Sequence, residues 1–205
     1  MKILFSFILL CFLISSCDKD ISIANGVTGT VLDKTTNIAV SEAEVSLFEK
    51  DAEIFGGLGG VLLETKYSDT NGSFHFDFTE REGYNYYAQA IKDQYFNDQS
   101  NNISYVHFGE ENTILYLQPE GYLKVRFINL FPCNENDEIT LSLLYDGYYP
   151  EFIGDDVDTT ICCFIVYGNS NNHITHYVDK CGESENISED IFCLPFDTTY
   201  YEIYY

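Results

Sequence analysis

Histidine, cysteine and paired carboxylates are the groups with which this 205-residue chain could do chemistry. His173 and His176 stand three apart. On a helix that spacing would let them share a metal, and on a strand it puts them on opposite faces. The Asn-rich turn before them and their β-branched neighbours favour a strand. His75 and Asp77 share one face of an alternating run, a dyad that still needs a nucleophile. The Gly-x-Ser-x-Gly elbow that exposes a serine is absent, and so is the His-Glu-x-x-His pair of a zinc peptidase. Gly56-Gly57-Leu58-Gly59-Gly60 lacks the Lys-Ser or Lys-Thr that a phosphate loop requires and reads as a flexible connection. Gly154-Asp155-Asp156-Val157-Asp158 offers oxygens to calcium, but without the EF-hand spacing it reads as an acidic surface turn. The expectation is a chain with no catalytic residue, no metal site and no cofactor.

Five cysteines lie in the second half: Cys133, Cys162, Cys163, Cys181 and Cys193. In an oxidising compartment they can form up to two disulfides and leave one thiol. Adjacent Cys162 and Cys163 would face opposite sides of a strand, so they are expected not to share a neighbour. Cys-x-x-Cys pairs of the kind that bind zinc are missing. Tyrosine is abundant at 17 residues while tryptophan is absent, with groups at 84–87, 145–149 and 200–205. Tyr145, Tyr148 and Tyr149 are the candidate ligand contacts, because a ring with a polar edge can stack on a sugar or anchor a protein interface. Packing in strands is the plainer account of so many tyrosines. The lack of tryptophan counts against a dedicated glycan platform.

The elements that would position these groups read as strands throughout. Val27–Leu32, Ala43–Phe48, Tyr84–Ile91 and Thr113–Leu117 are β-rich, and Phe74, Phe76 and Phe78 alternate with polar residues after an Asn71-Gly72 turn. The pattern restarts near Gln118-Pro119-Glu120-Gly121. Runs at Tyr122–Ile128, Glu138–Leu144, Thr160–Tyr167, Asp190–Leu194 and Thr198–Tyr205 follow, and His173–Val178 is expected to return as the hairpin partner of Thr160–Tyr167. Helical periodicity never persists for three turns. The expected architecture is all-β: two tandem Ig-like or transthyretin-like β-sandwich domains, at 23–119 and 120–205.

The first residues supply an address. Met1-Lys2, an apolar run from Ile3 to Ile14 and Ser15-Ser16-Cys17 have the parts of a secretory signal, and the run is too short to span a bilayer that needs roughly 20 residues. Ile14-Ser15-Ser16-Cys17 resembles the bacterial lipobox. That resemblance implies cleavage after residue 16, a lipidated Cys17, a tether at 17–22 and attachment to a membrane. Asp18-Lys19-Asp20 is similar to the short charged signal that sends some lipoproteins to the cell surface, so an outer-membrane location with surface exposure is expected. A net charge of −23, with Lys180 the only Lys or Arg after Arg126, excludes nucleic acid as a partner.

Gly29-Thr30-Val31-Leu32-Asp33, Ala43-Glu44-Val45-Ser46-Leu47 and Ser68-Asp69-Thr70-Asn71-Gly72-Ser73-Phe74 resemble a carboxypeptidase-regulatory-like domain. That family has a transthyretin-like sandwich related to collagen-adhesin B repeats. Ser68 stands where threonine is usual, and Ala39 where proline is usual. The resemblance implies a seven-stranded module that accompanies peptidases without cleaving anything. It also raises a Lys–Asn isopeptide cross-link, for which Lys34 and Lys66 are the available lysines. The function expected is a noncatalytic protein-interaction or assembly module with an envelope protein as partner; glycan binding in a nutrient-uptake system is the alternative.

Overall fold

The computed structural model describes residues 26–53, 59–97, 102–143 and 149–205. Cys17, the signal before it and the tether lie outside these residues, as do Tyr145 and Tyr148. Among the described residues the regular structure is all strand, as the alternation predicts.

The first sandwich faces a three-stranded sheet against a four-stranded one. The smaller consists of β1 (Gly26–Asp33) between β4 (Ser73–Asp77) and β7 (Thr113–Leu117). The larger runs β3 (Val61–Tyr67), β2 (Glu44–Asp51), β5 (Tyr84–Ile91), β6 (Ile103–Val106). Alternate residues Val27, Val31, Val45, Leu47, Phe76, Ala88, Leu115 and Leu117 point between the sheets and are all but sealed from solvent.

The residues that carry the family resemblance have local physical tasks. Asp33 ends β1 by accepting the N–H groups of Thr35 and Thr36 at 2.8 and 2.9 Å. Asp69 does the same for Asn71 and Ser73, both at 2.8 Å; this is the Asx geometry for which the residue type is favoured in turns. Gly72 adopts φ +73°, in the left-handed region, and a Cβ there would press on the Val31 carbonyl. Ser68 is buried, accepts the Ala43 N–H at 2.9 Å and donates to the Val40 carbonyl at 2.8 Å, so a hydroxyl is what the site needs.

β3 is an edge strand that exposes Val61, Leu62 and Leu63. A register shift opposite Leu47/Phe48 bulges it, and Glu64 and Lys66 lie on the face paired with core residues Leu47 and Val45. Bulges and inward charges are how sheet edges avoid pairing with another chain. Lys66 Nζ donates to the His75 carbonyl at 2.8 Å, a hydrogen bond across the open side of the sandwich.

The second sandwich contains β8 (Glu120–Ile128), flanked by β11 (Asp158–Tyr167) and β14 (Thr198–Tyr204). Opposite lies the sheet β10 (Glu151–Ile153), β9 (Glu138–Leu143), β12 (Ser170–Lys180), β13 (Glu183–Cys193). Leu123, Val125, Phe127, Ile139, Leu141, Phe164, Ile174 and Ile203 form its core.

Three sequence expectations fail here. β11 and β12 are not a hairpin: β11 pairs with β8, whereas β12 pairs with β9 and β13. The Gly168-Asn169 turn carries the chain from one sheet to the other, because both strands bury an apolar face and those faces meet across the core. β13 begins at Glu183, seven residues before the expected Asp190. Its first half is polar on both sides, so it carries no hydrophobic alternation to read. Finally, Cys162 and Cys163 do not face opposite sides. They occupy a register break between Ile161 and Phe164, are both exposed, and are bonded to each other.

The two sandwiches meet through a polar and aromatic joint. Gly168 N–H donates to the Pro119 carbonyl at 2.8 Å and Gln118 Nε2 to the Gly168 carbonyl at 3.1 Å. Tyr95 packs edge-on to Phe196 and Phe96 to Tyr167, and Asn169 Nδ2 reaches Thr35 Oγ1 at 3.0 Å. β1 runs toward this joint from Gly26 and β8 runs away from it to Ile128. The turn after β8 therefore lies at the end of the molecule remote from Gly26.

Candidate functional site

That remote end presents apolar side chains on a backbone held from several directions. Leu130 and Phe131 are 50% and 75% exposed, and Ile153 is exposed nearby. Cys133, two residues beyond Phe131, is bonded to Cys181 in the β12–β13 turn, with Cα atoms 5.5 Å apart. Leu130 N–H donates to the Tyr205 carbonyl at 2.9 Å. Buried Asp137 accepts the Cys133 N–H at 2.7 Å and Asn129 Nδ2 at 2.9 Å, and Lys180 Nζ donates to Asn129 Oδ1 at 2.8 Å. Burial works to raise the Asp137 carboxyl, but hydrogen bonds from Asn129, Cys133 and Asn134 and the Lys180 charge outweigh it and hold the pKa below the usual carboxylate range. Residues 129–137 are thus fixed by a covalent bond and an ionised carboxylate. Sequence reading missed Leu130 and Phe131, because in one dimension they continue the apolar strand before them.

A second surface lies on the outer face of the β11-β8-β14 sheet. Arg126 grips Asp158 with Nε and Nη2, both at 2.7 Å, and reaches Glu202 at 3.3 Å. Tyr200 and Tyr204, each about half exposed, donate their hydroxyls to the same Glu202. Hydrogen bonds from Tyr204 and Tyr200 lower the Glu202 pKa, while the Asp158 hydrogen bond first and then Tyr200 raise that of Arg126. Asp158 is therefore engaged by arginine, and among the described residues no group of three or more potential ligands could hold a metal. Of the three candidate tyrosines in the 145–149 group, only Tyr149 is described; it is exposed, on the flank of the sandwich.

The histidines divide as the strand reading predicts. His173 is exposed and bonds Asp190 at 3.0 Å, whereas His176 points inward and is 2% exposed. The His75–Asp77 dyad has a hydroxyl beside it: Thr28 Oγ1 lies 3.2 Å from His75 Nδ1, and His75 Nε2 lies 2.9 Å from Asp77. Its setting opposes acyl transfer. The His75 and Asp77 side chains are open to solvent, and the N–H of Thr28 itself is already given to the Glu110 carbonyl.

His176 supplies a pH prediction. Its Nδ1 has no hydrogen-bond partner, and its cross-strand neighbours are Leu141 and Ile187. Burial lowers its pKa; Glu189 and Glu185 oppose that shift more weakly. A depressed histidine pKa means that the unfolded chain protonates first on acidification. Its contribution to stability is present above about pH 6.5 and falls as the pH drops through that value toward the folded pKa. Thermal melts should show Tm falling between pH 7 and 5. His176→Leu should flatten that slope and raise Tm at pH 5.5, since an apolar isostere leaves no unpaired buried nitrogen. An unchanged slope in the variant would contradict the assignment.

No protein-family model matches the chain, and no curated protein sequence does. Among solved structures it is similar to the Bacillus anthracis TIE protein, at 13% identity and a TM-score of 0.34 over 87% of this chain and 33% of that one. A streptococcal ancillary pilin matches at 12% identity and 0.42, over 88% of this chain and 62% of that one. The shaft pilin SpaA of Lactobacillus rhamnosus GG matches at 9% and 0.34, over 87% and 95%. The chain spans about a third of the first of these proteins and under two thirds of the second. Scores at this level do not assign it to any of them.

Proposed function

We propose that this chain is an exported lipoprotein, attached to the outer membrane through Cys17 and displayed at the cell surface, that acts as a noncatalytic protein-interaction or assembly module. Its first sandwich is read as carboxypeptidase-regulatory-like on the residues whose turn-making tasks are described above. The observation that carries the reading is the exposure of Leu130 and Phe131 on a backbone held by a disulfide and by Asp137. Apolar anchors lose little entropy on binding when their loop is already ordered, and such anchors dominate interface energies.

The experiment is photocrosslinking from intact cells with the full-length chain, followed by mass spectrometry. The expected result is one recurrent envelope protein, lost in Phe131→Asp and retained in the exposed-edge control Leu62→Asp. Cys17→Ala should move the chain from the membrane to the soluble fraction. A crosslinking pattern indifferent to Phe131→Asp would refute the tip as the binding surface.

The alternative, glycan binding, is favoured by the Tyr200–Glu202–Tyr204 row beside Arg126, where rings and hydrogen-bonding groups share a flat face. Retention of a polysaccharide that depends on Tyr200 and Tyr204, and not on Phe131, would move the assignment there.

A further inference from the structure

The second sandwich is open along one flank. β14 is the last strand of its sheet and β13 the last of the facing sheet. Between them lies a groove of about 670 Å3 lined by Val178, Lys180, Glu185, Ile187, Tyr204 and Tyr205.

The parallel register with β8 decides which peptide groups of β14 are engaged. Tyr205 donates to the Ile128 carbonyl and accepts from Leu130, and the Asp197 carbonyl accepts the Tyr122 N–H. Residues of odd number in this strand therefore turn their peptide groups toward β8. Tyr200, Glu202 and Tyr204 turn theirs away, and no described strand pairs with that edge. The fourth outward residue, Thr198, gives its N–H to the Asp197 carboxylate.

Protection of the two edges is unequal. β13 lays Glu185 and Glu189 on the face of its partners Val178 and Ile174, which point into the core; Glu189 is taken by the Tyr201 hydroxyl, while Glu183 and Glu185 line the groove. β14 turns Tyr201, Ile203 and Tyr205 inward, with apolar bodies and no charge. In the groove wall the Tyr205 hydroxyl is buried without a hydrogen-bond partner. The flank thus combines an open row of backbone donors and acceptors, an apolar floor, an unsatisfied hydroxyl and two carboxylates opposite.

We infer that an extended, basic segment of a partner protein adds to β14 as a further strand. One of its Lys or Arg side chains enters the groove toward Glu183 and Glu185, and alternate apolar side chains cover Ile187 and Tyr205. The inference rests on the protein-binding reading and names the chemistry of the partner. The chain's charge of −23 draws such a segment in and repels acidic ones.

The test uses the full-length chain in detergent and a blocked nonapeptide of alternating lysine and valine, followed by fluorescence polarisation. The glutamate-for-lysine peptide and a version N-methylated on alternate residues are the comparisons. The expected result is binding of the lysine peptide, with each comparison weaker by at least about tenfold. On the protein side, Glu202→Pro and Glu202→Gln lose the same carboxylate, but only the first loses the outward N–H, which an edge strand tolerates. Glu202→Pro should bind at least about tenfold more weakly than Glu202→Gln. Equal affinity of the two variants, undiminished binding of the N-methylated peptide, or no binding up to about 1 mM overturns strand addition. Should Glu202→Pro fail to fold, the N-methylated peptide against the native chain decides. Failure here, with crosslinking still dependent on Phe131, would remove the groove and leave the protein-binding reading standing.

Discussion

Removing the Cys133–Cys181 bridge, by a double change to serine or by reductant, should destabilise the second sandwich by about 4 kcal/mol. The bridge joins residues 48 apart, and in the chain-entropy account a closed loop of that length restricts the unfolded ensemble by that amount. Nothing comparable attaches to Cys162–Cys163. Those residues are neighbours, so their bond closes no loop, and the serine pair at those positions should leave the denaturant midpoint nearly unmoved. Buried Cys193 is not bonded, and burial raises its thiol pKa, so it should react only on unfolding. Urea titrations of the wild type and the two double variants separate these cases. A large loss from the Cys162/Cys163 variant and a small one from Cys133/Cys181 would reverse the assignment. The same loss should reach function, because the bridge holds the segment that presents Phe131. A reduced protein at a temperature where it is still folded should crosslink less.

Gly29→Ala is expected to cost the first sandwich about 3 kcal/mol, the upper end for overpacking a core. A Cβ at this position would overlap the edge of the Phe74 ring, 2.3 Å from Cζ, and lie 2.4 Å from the Thr113 carbonyl oxygen. Phe74 is 4% exposed, and Thr113 is held in the parallel ladder opposite Gly29 itself. The Thr113 carbonyl cannot retreat without moving a strand, and the Phe74 ring can do so only by repacking among buried neighbours. The φ of Gly29 is not in the left-handed region, so the glycine is required by space and not by backbone conformation; at Gly72 both reasons apply. Gly59, whose Cβ would meet nothing within 4 Å among the described residues, is the control: Gly59→Ala should be close to neutral. Thermal melts of the two variants give the comparison directly, and a near-neutral Gly29→Ala would show that Phe74 has room to repack.

Much of the strand content was written locally. Period-two alternation marks β2, β4, β8 and β9, because a strand with one face on a core must place apolar side chains at every second residue. Asp33, Asp69 and Gly72 mark turns because their side chain, or its absence, satisfies a local backbone requirement. The opposite faces of His173 and His176 follow from the same period.

What the sequence alone did not decide was anything that depends on which strand lies beside which. β11 and β12 are adjacent in sequence and in opposite sheets, because the apolar faces of both prefer to meet across a core, and alternation does not record a partner. The first seven residues of β13 escaped reading because an edge strand with inward Glu185 and Glu189 has no alternation to show. Thr28 reached His75 only through the β1–β4 pairing, 47 residues apart in sequence. Phe131 became a surface feature only when Cys133 met Cys181 and Asp137 turned back on Asn129. The periodicity of side chains is a property of one strand and can be read from it. Pairing, edges and exposed anchors are properties of two or more strands, and they exist only once the chain has closed on itself.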